Sequence, residues 1–214
     1  MKKGKLVVFE GLDGSGKSGQ IKELMFALRK DNIPHCAIRE PGGTPIGEDI
    51  RTILKTSYPH DQKTRMTELL LFFASRAASV KRIREILDSG ITVVMDRFYL
   101  SSIAYQGAGL DLTSQTLSLC DMVLEDLRPD ITIVLDVSPE VGLARSEKRD
   151  GKLDEIESRS LDYHNLLRET FLSYVCKDDP LVGKCERVDG ELSFEEVTDA
   201  VYSICKRHGV FNRT

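Results

Sequence analysis

A glycine-rich segment near the start of the chain constrains the fold more than any other feature. It reads Gly11-Leu12-Asp13-Gly14-Ser15-Gly16-Lys17-Ser18 and matches the pattern G-x-x-x-x-G-K-[ST]. The apolar run at residues 6–9 precedes it, and apolar residues at helical spacing follow it at positions 21, 24, 25 and 28. A chance glycine turn rarely has a strand before it and a helix after it. The segment therefore predicts a phosphate-binding loop and the binding of a nucleoside triphosphate such as ATP.

Each part of this loop suits one part of a bound triphosphate. The glycines let backbone N–H groups surround the β-phosphate, and the following helix adds its N-terminal dipole. Lys17 can reach the β- and γ-phosphate oxygens, and the Ser18 hydroxyl suits Mg²⁺. The predicted ATP-binding residues of the loop are Gly11, Leu12, Asp13, Gly14, Ser15, Gly16, Lys17 and Ser18.

Alternation of strand and helix patterns predicts the fold class. Further β-branched or apolar runs occur at 36–38, 91–95, 131–135 and 186–188, between helical patterns that include 66–87 and 194–204. This predicts an α/β fold of the P-loop type with three layers, a five-stranded, mostly parallel sheet flanked by helices. With 214 residues, we expect a single domain over 1–214. Residues 69–74 hold more apolar side chains than one buried stripe needs, so some should face a ligand or a partner.

Composition excludes several classes of protein. Acidic residues number 34 against 30 basic ones, so no global positive field predicts nucleic acid or a membrane surface as a partner. No apolar run is long enough for a signal peptide or a membrane span, which predicts a cytoplasmic protein. The five cysteines contain no C-x-x-C pair, so neither a disulfide framework nor a zinc site is expected.

Polar residues directly after the strands are the other candidates for a site. Asp96 can organise Mg²⁺ and Arg97 can bind phosphate, although the two could also form a salt bridge that ends the strand. Arg39 follows the second strand, within a turn-forming segment. Phe73 and Arg76 lie three residues apart on a helix and could present an aromatic plane and a planar donor. Spacing alone instead favours Phe72 and Phe73 in the core and a solvated Arg76.

A charged stretch at 145–152, broken by Gly151, has two interpretations. Charge runs usually form a solvated helix face. The basic residues also suit a lid, over about 145–155, that closes on phosphates and excludes water. We favour the lid, because a phosphate-binding loop that transfers a phosphoryl group must be protected from hydrolysis.

Taken together, these segments resemble the thymidylate kinase family of nucleoside monophosphate kinases over almost the whole chain. The resemblance rests on the loop at 9–18, on Arg39-Glu40-Pro41-Gly42-Gly43-Thr44-Pro45, on Leu71-Phe72-Phe73-Ala74-Ser75-Arg76, and on Asp96-Arg97-Phe98 followed by Ser101-Ser102 and Ala104-Tyr105-Gln106-Gly107. It implies transfer of the γ-phosphoryl of Mg-ATP to dTMP, giving dTDP and ADP, in dTTP synthesis. It also implies a homodimer with helices packed across the interface.

The resemblance also implies roles for individual residues. Asp13 would contact the nucleotide sugar, Arg39 and Arg97 the dTMP phosphate, and Phe73 would stack on thymine. Arg76 would donate to a base carbonyl, and Tyr105 would disfavour ribonucleotides. The complete predicted substrate-binding set is Asp13, Arg39, Arg51, Phe73, Arg76, Arg97, Ser102, Tyr105 and Gln106, and Ser18 and Asp96 are the predicted metal ligands.

Members of the family differ in which segment supplies the catalytic arginine. The loop has glycine at position 14, where one group of relatives has arginine, so the lid would supply it here. Arg149 is the first candidate, Arg145 the second and Lys148 a weaker substitute. The predicted catalytic residues are Asp13, Lys17, Arg97 and Arg149.

Other functions remain open at this point. Adenylate and guanylate kinases share the loop and lid. The pairs Phe73 with Arg76 and Tyr105 with Gln106 favour a deoxypyrimidine as the acceptor instead. A GTPase switch would need an N-K-x-D segment, which the chain lacks. A catalytically idle relative that only binds nucleotide is the remaining alternative.

Overall fold

A computed structural model of the chain describes residues 3–56, 58, 64–152, 155–175, 177–179 and 181–212. The strands are β1 Leu6–Glu10, β2 His35–Arg39, β3 Thr92–Asp96, β4 Ile131–Asp136, β5 Asp178–Asp179 and β6 Gly183–Asp189. The helices are α1 Lys17–Lys30, α2 Pro45–Lys55, α3 Arg65–Asp88, α4 Tyr99–Ser102, α5 Thr113–Leu124, α6 Pro139–Asp150, α7 Leu161–Ser173 and α8 Phe194–Arg207. A π-helical turn, Ile103–Ala108, continues α4.

The sheet has the strand order β2-β3-β1-β4-β6-β5, and its first five strands in that order are parallel. Only the two-residue β5 runs antiparallel, at one edge. The predicted α/β fold with a five-stranded, mostly parallel sheet is confirmed. In the register, Asp96 pairs with both Phe9 and Arg39, so β1, β2 and β3 end at the same level. The phosphate-binding loop, Arg39 and Asp96 therefore lie at one edge of the sheet.

Two apolar clusters cover the two faces of the sheet. Leu6 and Val8 of β1 pack into the cluster that contains α3 and α5 residues, whereas Val7 and Phe9 pack into the cluster with α1 and α8. All five residues of β1 are buried. A parallel strand that is covered on both faces must be apolar throughout, which explains the continuous run at 6–9.

Helix α3 shows where the apolar side chains of residues 69–74 lie. Its N-terminus is capped by Thr64, whose Oγ1 accepts the backbone N–H of Thr67. Leu69 and Phe73 are buried in the core, whereas the side chain of Leu70 is half exposed. Phe72 is partly buried and faces a cavity that is described below. Leu70 and Phe72 are therefore accessible, and their contact with a partner or a ligand stays a prediction.

The chain turns sharply after β3. Arg97 has φ 67°, in the left-handed region that residues other than glycine rarely adopt. Its backbone N–H donates to the carbonyl of Phe9, and the next N–H, that of Phe98, donates to a carboxylate oxygen of Glu10. These two bonds hold the turn against β1, and α4 begins two residues beyond Arg97.

Helix α6 carries the start of the predicted lid. It ends at Asp150, and the following Gly151, which has φ 75°, caps the helix C-terminus. Leu153 and Asp154 of the predicted lid, and Cys176, lie outside the described residues. Among the cysteines within the described ranges, no disulfide forms.

No helix in the described part of the chain has both the length and the apolar character that a membrane crossing needs.

Candidate active site

The phosphate-binding loop is preformed around Lys17. The Lys17 ammonium donates to the backbone carbonyls of Gly11 at 3.1 Å and Leu12 at 2.8 Å, and to the hydroxyl of Ser15 at 3.3 Å. Burial, together with the nearby positive charge of Arg97, lowers the pKa of Lys17 to about 8. These carbonyls compensate the buried charge only in part, so an anionic phosphate would complete its surroundings.

Two glycines bring the loop against helix α6. Gly14 has φ 72°, and a Cβ at this position would lie 2.0 Å from the backbone carbonyl oxygen of Gly142. A Cβ on Gly142 would in turn lie 2.7 Å from the backbone oxygen of Asp13. No side chain fits at position 14, so an arginine there is sterically excluded in this chain. The loop instead lies directly beside the helix that carries Arg145 and Arg149.

A cleft of about 380 Å³ opens on the loop. We call it the P-loop cleft. The residues that line it are Asp13, Gly14, Gly16, Lys17, Ser18, Gly19, Arg39, Glu40, Arg51, Asp96, Arg97, Arg145 and Arg149. Lys17 and five arginines give it a strongly cationic wall, as an anionic ligand requires.

Ser18 and Asp96, the predicted metal ligands, meet in this cleft. The hydroxyl of Ser18 donates to a carboxylate oxygen of Asp96 at 3.3 Å. Both are hard oxygen donors, and Mg²⁺ is typically held by one or two such groups with phosphate oxygens and waters completing the shell. The described residues contain no group of three or more histidine, cysteine or acidic side chains that could hold a metal without such help. The donor set therefore fits Mg²⁺ that arrives with a nucleotide.

A second cavity of about 410 Å³ adjoins the first. We call it the acceptor cavity. Its lining consists of Asp13, Glu40, Pro41, Arg51, Lys55, Phe72, Arg76, Arg97, Phe98, Ser101, Ser102, Tyr105, Gln106, Arg149, Lys152, Ile156 and Glu157. A few aromatic and apolar side chains are combined here with a larger number of polar and charged groups, which suits a small organic molecule that carries charge.

Five residues line both the P-loop cleft and the acceptor cavity. They are Asp13, Glu40, Arg51, Arg97 and Arg149. Three of them are arginines, so the two cavities meet at a concentration of positive charge. We call the region lined by these five residues the junction. A ligand in either cavity would reach it.

Asp13, Arg97 and Tyr105 form one hydrogen-bonded group at the junction. Arg97 donates to Asp13 at 2.7 Å and the Tyr105 hydroxyl donates to the other carboxylate oxygen at 3.1 Å. Burial alone would raise the pKa of Asp13, but Arg97 and Lys17 hold it well below its usual range. Burial alone would lower the pKa of Arg97, but Asp13 raises it well above its usual value. Asp13 is therefore a fixed negative charge that orients Arg97.

Arg76 is fully buried beneath the acceptor cavity. Its Nε donates to Glu40 at 2.7 Å, one terminal nitrogen donates to Ser102 Oγ at 2.9 Å, and the other to the backbone carbonyl of Phe98 at 3.0 Å. The solvated Arg76 that spacing alone favoured is therefore wrong. Three partners fix the guanidinium plane, so its remaining N–H groups can face only a limited set of directions. Ser102 lines the cavity and also holds Arg76 in place.

The structure places Phe72, rather than the predicted Phe73, on the wall of the acceptor cavity. Phe73 is only 2 % exposed and packs in the core, with the Arg76 guanidinium carbon 4.9 Å from its ring centroid. Phe72 lines the acceptor cavity and Phe73 does not. Residues three and four apart both share a helix face, and here the four-residue spacing from Phe72 to Arg76 is the one that faces the cavity.

The π-helical turn presents several polar groups to the same cavity. Ser101 and Ser102 precede this turn and Tyr105 and Gln106 lie within it, and all four line the acceptor cavity. A π-turn widens the face that adjacent residues can share, and such turns occur frequently at functional sites. The structure therefore brings these candidates together.

Arg39 and Arg51 lie beside the junction. Arg39 is half exposed, donates to Glu48 at 2.6 Å and lines the P-loop cleft but not the acceptor cavity. Arg51 donates to the carbonyl of Pro41 at 3.0 Å. Burial and the neighbouring Arg39 lower the pKa of Arg51. This mutual repulsion of like charges would be relieved by an anion bound between them.

The two candidate lid arginines occupy different places. Arg149 lies at the junction and forms an ion pair with Glu157, with nitrogen and oxygen 3.8 Å apart. Arg145 donates to the backbone carbonyl of Gly190 at 2.8 Å. It lines the P-loop cleft and a third, smaller cleft of about 250 Å³, whose walls include Leu192 and Phe194.

Sequence reasoning missed two buried acids. Glu10 accepts hydrogen bonds from the backbone N–H groups of Phe98 and Ser101 and from the Ser101 hydroxyl, and burial raises its pKa. Glu40 accepts hydrogen bonds from Arg76 and from Ser79. Each acid ends or directly follows an apolar strand, and this position was a signal that could have indicated them.

The geometry defines a class of protein. A phosphate-binding loop, a metal-ligand pair beside it and a second cavity that meets them at an arginine cluster form the site of a P-loop phosphotransferase with a small phosphorylated acceptor.

Comparison with known proteins identifies the family. A family model described as thymidylate kinase matches residues 9–201. The thymidylate kinase of Buchnera aphidicola subsp. Acyrthosiphon pisum is 41 % identical over 204 residues, which is 94 % of each chain. That of Symbiobacterium thermophilum is 43 % identical over 89 % of this chain and 87 % of its own, and that of Shewanella loihica is 36 % identical over 95 % of both. The chain belongs to the thymidylate kinase family and is a phosphotransferase.

The two adjacent phenylalanines should respond oppositely to truncation. Phe72→Ala is expected to raise the KM of the nucleotide acceptor roughly tenfold or more, because stacking of a base on an aromatic ring contributes about 1–3 kcal/mol. Phe73→Ala should instead lower the free energy of unfolding by about 3–5 kcal/mol, because it leaves a cavity in the core. Steady-state kinetics and urea unfolding measure the two effects. A KM effect confined to Phe73→Ala would contradict the corrected assignment.

Proposed function

We propose that Lys17, Arg97 and Arg149 carry the dTMP kinase activity of this chain. The reaction moves the γ-phosphoryl of ATP to dTMP and yields dTDP and ADP. The observation that carries the proposal is the junction, where three arginines line both cavities. ATP bound at the loop and dTMP bound in the acceptor cavity would bring their phosphates to this one cationic point, as in-line transfer requires.

The chemistry needs positioning and charge rather than a covalent intermediate. The bond between the γ-phosphorus and its bridging oxygen breaks, and an oxygen of the dTMP phosphate forms the new bond. That oxygen is already ionised near neutral pH, so no general base is required. Lys17, Arg97 and Arg149 would neutralise the charge that spreads over the transferred group.

For the donor, the loop from Gly11 to Ser18 would hold the phosphates of ATP. The third cleft lies directly beside this loop, and its wall combines the Arg145 guanidinium with the apolar Leu192 and Phe194. Such a wall suits the flat face of a purine. Arg145 is therefore proposed as a donor-base contact and Arg149 as the catalytic arginine of the lid.

For the acceptor, Phe72 would stack on thymine and Arg76 would donate to a base carbonyl. The Tyr105 hydroxyl donates to Asp13. The ring would pack against the sugar at the place where a ribonucleotide carries its 2′-hydroxyl. Arg39, Arg51 and Arg97 would hold the dTMP phosphate, as their mutual repulsion suggests. Asp13 is proposed to orient Arg97 and to contact the sugar.

Mg²⁺ would be held by Ser18 and Asp96 together with the phosphates of ATP. When bound, it supplies positive charge that offsets the charge on the β- and γ-phosphates. The same proposal places the enzyme in the cytoplasm, where Mg-ATP is available, and assigns both sites to one domain over residues 1–214.

A panel of acceptors tests the activity. Formation of ADP from Mg-ATP should be fastest with dTMP and slower with dUMP, because a methyl group contributes only about 1–3 kcal/mol to discrimination. It should be negligible with dCMP, AMP, GMP and the ribose form of TMP. Lys17→Ala should abolish turnover, whereas the exposed Lys22→Ala on the same helix should leave it unchanged. Turnover of AMP or GMP but not dTMP would refute the acceptor assignment, and no turnover with ATP still bound would indicate a binding module.

Substitution of the two lid arginines should affect different kinetic constants. Arg149→Ala is expected to lower kcat on the order of 10³ to 10⁵ with a small change in the dTMP KM, as for other arginines that act only in the transition state. Arg145→Ala should raise the KM for ATP more than it lowers kcat. Glu147→Gln, at an exposed position between them, is the control. If kcat of Arg149→Ala falls less than about tenfold, Arg149 is not the catalytic arginine.

We also propose that two copies of the chain pack through α2 and α3. Ile46 and Leu70 on these helices are 58 % and 51 % exposed, which is a high exposure for large apolar side chains. Leu70→Asp should reduce the mass measured by light scattering from twice 24.0 kDa to that of one chain. Phe26→Asp on α1, at a residue 67 % exposed, is the control and should not change the mass. A wild-type chain that is monomeric at micromolar concentration would contradict the proposal.

A further inference from the structure

A buried acid on α3 contacts one of the groups that line the acceptor cavity. Glu68 lies one turn before Phe72 and is 8 % exposed. Its Oε1 accepts a hydrogen bond of 3.0 Å from Nε2 of Gln106, which lies in the π-helical turn and is 1 % exposed. Glu68 itself does not line the cavity, whereas Gln106 does.

This contact determines which end of the Gln106 amide is available to a ligand. A glutamine amide donates through Nε2 and accepts through Oε1, and the two are exchanged by a half-turn of the side chain. A carboxylate can only accept, so Glu68 selects the orientation in which Nε2 is directed towards α3. Oε1 is then left for the cavity, and no hydrogen bond within the described residues reaches it.

Arg76 presents the complementary group to the same cavity. Its guanidinium can only donate, and its contacts with Glu40, Ser102 and the carbonyl of Phe98 fix its plane. The cavity therefore offers a donor from Arg76 and an acceptor from Gln106. Thymine carries a carbonyl oxygen beside an N–H group and matches this pair, whereas cytosine carries an amino group beside an unprotonated ring nitrogen and opposes it.

We infer that Glu68 is a positioning residue that holds Gln106 as an acceptor, and that it thereby makes the cavity select bases with a ring N–H. Glu68 acts on the base only through Gln106. The inference rests on the proposed function, because that function places the base of the acceptor nucleotide against Phe72. It adds to that function a residue that determines the rejection of cytosine.

The test compares dTMP with dCMP in the full-length enzyme. The quantity is the ratio of the inhibition constant of dCMP to the KM of dTMP, measured with Mg-ATP in excess. Glu68→Gln keeps the size of the side chain but can both donate and accept, so Gln106 becomes free to turn. The ratio should fall at least tenfold, with a higher KM for dTMP, tighter dCMP inhibition and a smaller change in kcat.

Two further variants separate positioning from a general structural effect. Gln106→Met removes the amide that accepts from the base, so it should itself lower the ratio. The double variant, which adds Glu68→Gln, should have the same ratio as Gln106→Met. Glu85→Gln, an exposed acid on the same helix, is the matched control and should leave the ratio at the wild-type value. If Glu68→Gln fails to fold by circular dichroism, an unchanged ratio in Gln106→Met still refutes the inference.

Several results would overturn the inference. If Glu68→Gln weakens the binding of dTMP and of dCMP by the same factor, Glu68 has only a structural role. A shift that persists in the Gln106→Met background would show that Glu68 acts by another route, and an unchanged ratio in Gln106→Met would exclude Gln106 as the reader. In each case dTMP turnover by the wild type would still support the kinase function, whereas a wild type that does not phosphorylate dTMP would refute both.

Discussion

The buried carboxylate of Glu10 joins the two segments on which the site depends. It ends β1, directly before the phosphate-binding loop, and it accepts two backbone N–H groups and one hydroxyl from residues 98 and 101. These bonds hold the turn at Arg97 against the end of β1, where Arg97 adopts a left-handed conformation at a cost of about 1–2 kcal/mol. The phosphate-binding loop and the arginine that is proposed to bind the acceptor phosphate are thus positioned by one group.

Two carboxylates of the site are paired with arginines, whereas Lys17 forms no salt bridge within the described residues. Asp13 is paired with Arg97, and Glu40 with Arg76. Lys17 contacts neutral carbonyls and a hydroxyl, and its pKa is lowered to about 8. A buried cation without an ionic partner is unfavourable, so an incoming phosphate gains more from Lys17 here than it would in water. Lys17 is thus a buried cation in the cleft in which the phosphates of ATP are proposed to bind.

The fold and the donor half of the site could be predicted from local patterns, whereas the acceptor half could be predicted only in part. The strands, the loop and the positions of Asp96 and Arg97 follow from short apolar runs and from what directly succeeds them. The choice between Phe72 and Phe73 could not be made in the same way, because both lie on one helix and both spacings to Arg76 are compatible with a shared face. The packing of α3 on the sheet made that choice. Glu68 lies within a helix, where no local pattern distinguishes a buried acid from a solvated one, and its partner is 38 residues away.

By itself, the sequence determined that the chain forms a parallel α/β sheet with a triphosphate loop at the end of its first strand, because strand alternation and the loop motif depend on residues close together in the chain. Only the tertiary structure decided which side chains share a cavity. It placed Arg149 at the junction and Arg145 beside the third cleft, buried Arg76 among three partners, and directed the Gln106 amide through Glu68. Such arrangements depend on contacts between segments far apart in sequence, and those contacts are set by how helices pack on the sheet rather than by any local pattern.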